Sequence, residues 1–191
     1  MCHNERLADP LDEITRAIAG ISKKRNKTEA DHEKIACYEF HGGLYTDPPL
    51  GLEDVLGDPD KNGHVPCLPA WNVLRCLQDG AKRHKRGVDV LRGVYPLAET
   101  APITFDGPRE PWALWQGGHW LRKTVGVQRS RTVRTRPLFV DWQITLAVEV
   151  DATVFDLDTL RNCWRDAGVY SGIGDMRPIY GRFTGTIVEL T

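Results

Sequence analysis

Residues 141–150 alternate between two kinds of side chain. Trp142, Ile144, Leu146, Val148 and Val150 fall on one parity, and Asp141, Gln143, Thr145 and Glu149 on the other. A period of two sends one set into a core and the other into water, so the run predicts a half-buried β-strand. The period then changes. After Asp156 or Asp158, either of which can cap a helix, Leu157, Leu160, Trp164 and Ala167 recur at spacings of three and four. That is one buried helical stripe. A strand followed at once by an amphipathic helix points to a sheet covered by helices, the α+β class.

The neighbouring segments extend this plan. Residues 124–136 are rich in Val, Thr and Arg and read as a strand, joined to 141–150 through the short link 137–140 as an antiparallel hairpin. Gly172 is expected to end the helix, and 180–190 to form a closing strand. Upstream, Pro69 opens a helix to about Lys85 with Val73, Leu74, Leu77 and Ala81 on its apolar face and Cys76 beside them. Its last turn carries Lys82, Arg83, Lys85 and Arg86, which suits the negative end of the helix dipole. The order α-β-β-α-β lacks one leading strand of the ferredoxin-like plan β-α-β-β-α-β. No good candidate for that strand stands in the first 68 residues. Leu11, Ile14 and Ile18 instead predict a short helix ending at Gly20, and Thr28, with Asp31 at the capping-box position, starts another running to about Cys37. The chain is therefore expected to be one domain, 1–191, with a helical N-terminal segment at 1–45. Residues 46–64 and 93–122, punctuated by Pro, Gly and Asp, read as insertions or loops.

Composition mostly excludes. The chain has 191 residues, 41% of them hydrophobic, a formal net charge of −1 and no long apolar run. It is long enough for a core without covalent staples, and no membrane span is expected. Five cysteines, an odd number, predict reduced thiols and a cytoplasmic setting rather than a disulfide framework.

The small net charge conceals an uneven distribution. Between Pro111 and Val140 there is no Asp or Glu, while Arg122, Lys123, Arg129, Arg131, Arg134 and Arg136 fall there. Two more basic clusters precede it, Lys23-Lys24-Arg25-Asn26-Lys27 and Lys82-Arg83-His84-Lys85-Arg86. Basic stripes on a near-neutral chain can draw in a phosphate backbone. Arginine, with planar bidentate donors, suits phosphate well. In one extended strand Arg129 and Arg131 share a face and Arg134 and Arg136 the other. The apolar residues at 125, 127 and 133 fall on the first face, which calls for a bulge near 131–133 or an edge projecting past the sheet. In 172–183, Gly172 and Gly174 can present backbone N–H groups to a phosphate, Arg177 and Arg182 can clamp it, and Tyr180 and Phe183 can stack on bases. Trp112, Trp115 and Trp120 are more readily a satellite core than a stacking surface.

Enzyme signatures are weak. Cys37 with His41 and His64 with Cys67 supply two thiols and two imidazoles, in an order unlike a standard zinc finger, and no metal or other cofactor is expected. There is no GxSxG, Walker A or HExxH motif.

Residues 167–183, Ala-Gly-Val-Tyr-Ser-Gly-Ile-Gly-Asp-Met-Arg-Pro-Ile-Tyr-Gly-Arg-Phe, resemble the end of a conserved phage and prophage protein family, where an AGxxxGxGDxRPxYGRF-type motif precedes the last strand. Residues 22–28, 39–45, 65–72 and 131–139 resemble it as well, so the likeness runs over nearly the whole chain. That family, mostly of unassigned function, is similar in plan to the RAMP superfamily, ferredoxin-like proteins that coat guide RNA in CRISPR effector complexes. The segment from Gly172 to Gly181 resembles the Gly-rich loop that is the RAMP hallmark. By this likeness the chain is short of one N-terminal strand, whose place another segment or a partner chain would fill.

The resemblance implies a non-enzymatic protein of a bacterial host cytoplasm. It would hold single-stranded RNA or DNA in a basic groove and self-associate into filaments. The groove would be built from the basic residues of 23–27, 82–86 and 129–136 together with the 172–182 loop. Two alternatives carry different partners: an anti-CRISPR protein that mimics a backbone subunit and binds a host defence complex, and a metal-independent ribonuclease using a histidine base.

Overall fold

Side-chain caps set several of the helix starts. The Thr28 hydroxyl accepts the Asp31 N–H at 3.2 Å and the Asp31 carboxylate accepts the Thr28 N–H at 3.1 Å, a complete capping box. Asp12 and Asp156 accept the N–H groups of Thr15 and Thr159 in the same way. The computed structural model describes residues 4–58, 60–127 and 130–190. In chain order its main elements are α1 (Glu13–Ser22), α2 (Glu29–Gly43), β1 (Thr46–Asp47), α3 (Leu52–Leu56), β2 (Val65–Pro69), α4 (Ala70–Ala81), α5 (Gly87–Gly93), β3 (Val94–Pro96), β4 (Thr100–Pro102), α6 (Pro111–Gln116), β5 (Trp120–Val127), β6 (Ser130–Pro137), β7 (Val148–Val150) and α7 (Leu157–Asp166). The fold is α+β with small antiparallel sheets.

By packing, the chain divides into two compact units: 1–67 with 102–143, and 68–101 with 144–191. In the first, α1 and α2 pack together and α2 runs along β6. Ile14 and Phe40 are fully buried, and α2 continues past Cys37 because Phe40, His41 and Gly42 lie inside the unit. In the second, α4, α5, β3, β7 and α7 enclose Leu77, Ala81, Val90, Val94, Phe155, Leu160 and Cys163. Burying such a set supplies roughly 1.5–3 kcal/mol per large side chain.

Three expectations need correction. First, 124–136 is not one strand. β5 and β6 form a hairpin in unbroken register, from Trp120 opposite Pro137 to Val127 opposite Ser130. No bulge occurs at 131–133. Burial increases toward the hairpin's base, where Thr135, Arg136 and Pro137 are buried and Arg131 and Val133 are exposed, so the far end projects. Second, 141–150 keeps its alternating exposure, yet only Val148–Val150 sit in a ladder, opposite Val94–Pro96. Third, 180–190 joins no strand ladder among the described residues. It runs beside α7 and the turn that follows it. The Phe183 N–H donates to the Gly168 carbonyl at 3.3 Å, the Phe183 and Trp164 rings sit 4.7 Å apart, and Arg161 donates to the Ile187 carbonyl at 3.4 Å. Smaller differences are that α1 continues through Gly20, and that 46–64 and 93–122 contain short elements of their own.

Candidate nucleic-acid interface

The second unit gathers basic side chains at the crossing of α4 and α7. Gly80 makes that crossing possible: a Cβ there would lie 2.5 Å from the Ala167 nitrogen and the Cys163 carbonyl oxygen. Asp79 and Asp166 each stand next in sequence to a residue of this backbone contact, Gly80 and Ala167. Around Asp79 stand Lys82 at 2.6 Å, Arg177 at 3.5 Å and Arg75 at 3.9 Å. Around Asp166 stand His84 at 3.0 Å, and Arg83 and Arg165 at 3.5 Å. Five cations and an imidazole thus share two carboxylates.

Local structure explains how they arrive. After α4 the chain makes a 3₁₀ turn, Lys82–His84, closed by Lys85 in the left-handed region at φ 60°. The turn leaves Lys82 to Lys85 exposed and carries Arg83 and His84 to α7. At the other end α7 passes into a π-helical turn, Ala167–Ser171, which keeps Ala167 and Gly168 buried and puts Tyr170 outside. The Arg83 guanidinium lies over the Tyr170 ring, 3.9 Å from its centre. Arg86 differs from its neighbours: it pairs with Asp89 and donates to the Val154 carbonyl.

The glycine loop is built otherwise than expected. Gly172, at φ +72°, ends the π-turn, and its N–H donates to the Ala167 carbonyl at 2.8 Å, so that group is not free for a phosphate. Its carbonyl accepts the buried Cys76 thiol at 3.1 Å. Ile173 N–H to Gly181 carbonyl, 2.8 Å, closes the loop and returns Arg177 to α4. Gly174 is at φ +91°, Tyr180 donates its N–H to Met176, and Arg182 is exposed. The loop's contribution to charge is therefore Arg177 and Arg182.

The other predicted residues lie in the first unit. Lys23 and Arg25 are exposed, Lys24 pairs with Asp31 at 2.6 Å, and Lys27 donates to the Lys24 carbonyl. Lys24, with the Thr28 N–H, holds the Asp31 carboxyl down at about 2. Arg131 is exposed. Arg134 reaches inward to the buried Glu39, which also accepts the Thr135 N–H at 2.8 Å, and Arg136 is buried at 9% exposure. Arg134 and Arg136 thus anchor the hairpin instead of facing a polyanion, while Arg122, Lys123 and Arg131 face solvent. Arg129 lies outside the described residues.

The chemistry of the remaining candidates is structural. Trp115 packs on Phe40 and Trp120 at 5.4 and 5.5 Å between ring centres, and His41 stacks on Trp112 at 6.0 Å. Burial holds His41 down at about 4, and burial pushes the Cys37 and Cys76 thiols up to about 11 and 12, so neither is a thiolate near neutrality. His64 is buried, with Nδ1 2.7 Å from the Pro48 carbonyl. Among the described residues no group of three or more His, Cys, Asp or Glu is placed to hold a metal ion, and no helix is long and apolar enough to cross a membrane. Tyr170 was missed at the level of sequence, although it stands inside the closing motif, because residues on the 167–171 turn read as the helix's last turn.

Comparison with protein-family models, with curated proteins and with solved structures finds no match.

Proposed function

We propose that the protein is a nucleic-acid-binding module whose second unit grips the phosphates of a single strand of RNA or DNA without turning it over. One observation carries this: among the described residues, five cationic side chains from α4 and its following turn, from α7 and from the 173–181 loop gather around two carboxylates, Asp79 and Asp166. The five cationic side chains are 38–65% exposed, so a phosphate can reach them from the solvent side while Asp79 and Asp166 stay in place. A local excess of cations on a chain of net charge −1 also concentrates the attraction locally. The exposed Arg122, Lys123 and Arg131 of the hairpin supply a second basic element.

The ferredoxin-like, RAMP-like plan and assembly along a strand belong to the same proposal. What supports the plan is the packing of α4 against α7 and the antiparallel β3–β7 pair.

The test is fluorescence anisotropy of a labelled single strand titrated at several salt concentrations. Affinity is expected to fall steeply with salt. Because each phosphate contact on a single strand contributes about 0.7 to the log–log slope, the Lys82→Glu, Arg177→Glu double variant should flatten it by about 1.4. Binding that ignores both salt and these substitutions would overturn the proposal.

A further inference from the structure

We infer that Tyr170, backed by Arg83, is a nucleobase-stacking platform that makes the basic face prefer unpaired strands to duplexes; this rests on the nucleic-acid function proposed above. Tyr170 is 52% exposed and lies against Arg83, one of the clustered cations. Arg83 covers one face, 3.9 Å from the ring centre, and Asp166 pairs with that guanidinium at 3.5 Å. Among the described residues no other ring or cation packs on the opposite face. The π-turn is what displays it: the 172-to-167 hydrogen bond fits one extra residue into the turn, so Tyr170 points outward while Ala167 and Gly168 stay against α4.

A surface Arg–Tyr pair alone is a weak contact and needs no ligand. Here the pair has the makings of a binding element. Its ring and guanidinium are flat and held together in advance, and Tyr170 is half exposed. Lys82 and Arg177 on Asp79 stand ready for the phosphates that flank a base. Every base has a π-face, so stacking tolerates any sequence, but it requires a base that is out of the duplex.

The test uses the full chain, a labelled oligothymidylate of about 20 nucleotides, an abasic strand of the same length and a duplex of the same length. Oligothymidylate should bind tighter than either of the other two. Tyr170→Leu should weaken oligothymidylate by about 5- to 150-fold, the range of a lost base stack, and leave the abasic strand unchanged. Tyr170→Trp should keep the affinity and show extra tryptophan quenching, relative to the unsubstituted protein, with oligothymidylate but not with the abasic strand. The inference is overturned if Tyr170→Leu leaves oligothymidylate unaffected or weakens both strands equally, or if the extra fluorescence of the Tyr170→Trp variant does not distinguish them. If the unsubstituted protein binds neither strand, the nucleic-acid function itself fails, and that result is separable from the first.

Discussion

Replacing Gly80 by alanine adds a single methyl group where two helices touch backbone to backbone. Ordinarily the change helps a helix, by about 1 kcal/mol, because alanine has less backbone freedom to lose. At Gly80 the new carbon would meet the Ala167 nitrogen and the Cys163 oxygen at 2.5 Å and the Ala167 Cα at 2.7 Å. Those are main-chain atoms, and the same helix end is tied by the Gly172 cap and the Cys76 thiol, so no side chain can swing aside. Overpacking of this kind costs about 1–3 kcal/mol, and rigid partners put it at the upper end. The net expected loss is about 2 kcal/mol, which for a chain of this size is about 4–8 °C in melting temperature. Gly20 is the control. It sits exposed in α1 with nothing within 4 Å of an added Cβ, so the identical substitution there should stabilise by about 0.5–1 kcal/mol. Thermal unfolding followed by circular dichroism, on the full chain, compares the two variants directly. Equal or greater stability of Gly80→Ala would mean that α4 and α7 do not cross in contact, and the clustering of cations around Asp79 and Asp166 would lose its structural basis.

Two further predictions concern the first unit. Arg134→Ala strands the Glu39 carboxylate, 2% exposed, without its cation and should cost about 3 kcal/mol in urea unfolding, whereas Arg131→Ala should stay within about 0.5 kcal/mol; equal effects would refute the inward placement of Arg134. His41, held at about 4 by burial, stays neutral in the folded chain while the unfolded chain binds its proton near pH 6.5. Its contribution is therefore complete above about pH 6.5 and is lost as pH falls toward about 4, by about 3 kcal/mol in all. His41→Met should flatten the stability profile across that window, and an unchanged profile would refute the assignment.

Helices were legible in the sequence because caps and apolar stripes are local. Thr28, Asp31 and Asp156 do what their positions predict, and Leu160 and Ala167 are buried as the stripe requires. Strand exposure was equally legible: the alternation at 141–150 appears at every position but Ala147, which is half-buried. Strand pairing was not, because a partner is chosen by tertiary packing. Val and Thr on both sides of residues 128 and 129 fit one long strand as well as two short ones, and Phe183 and Ile187 find their burial against a helix instead of a sheet. For the candidate interface, composition pointed to the basic runs but not to which members are occupied. Arg131, Arg134 and Arg136 look alike in sequence, and only the buried Glu39 and the hairpin's depth separate the exposed one from the two anchored ones.

The same counting bounds what the basic face can do by itself. Five cations less two carboxylates leave an excess of about three charges, enough for a salt slope near 2 on a single strand and for weak, non-specific affinity. Removing an acid should therefore strengthen binding, since Asp79 and Asp166 compete with phosphate for the same guanidinium and ammonium groups. Yet both acids also hold those side chains in place, and Arg83 stays on the Tyr170 ring in part because Asp166 pins it. The arrangement gives up charge to gain order, which favours a contact read by stacking over one driven by charge alone. At physiological salt such a site would hold a strand firmly only when several act together, through neighbouring copies on one strand.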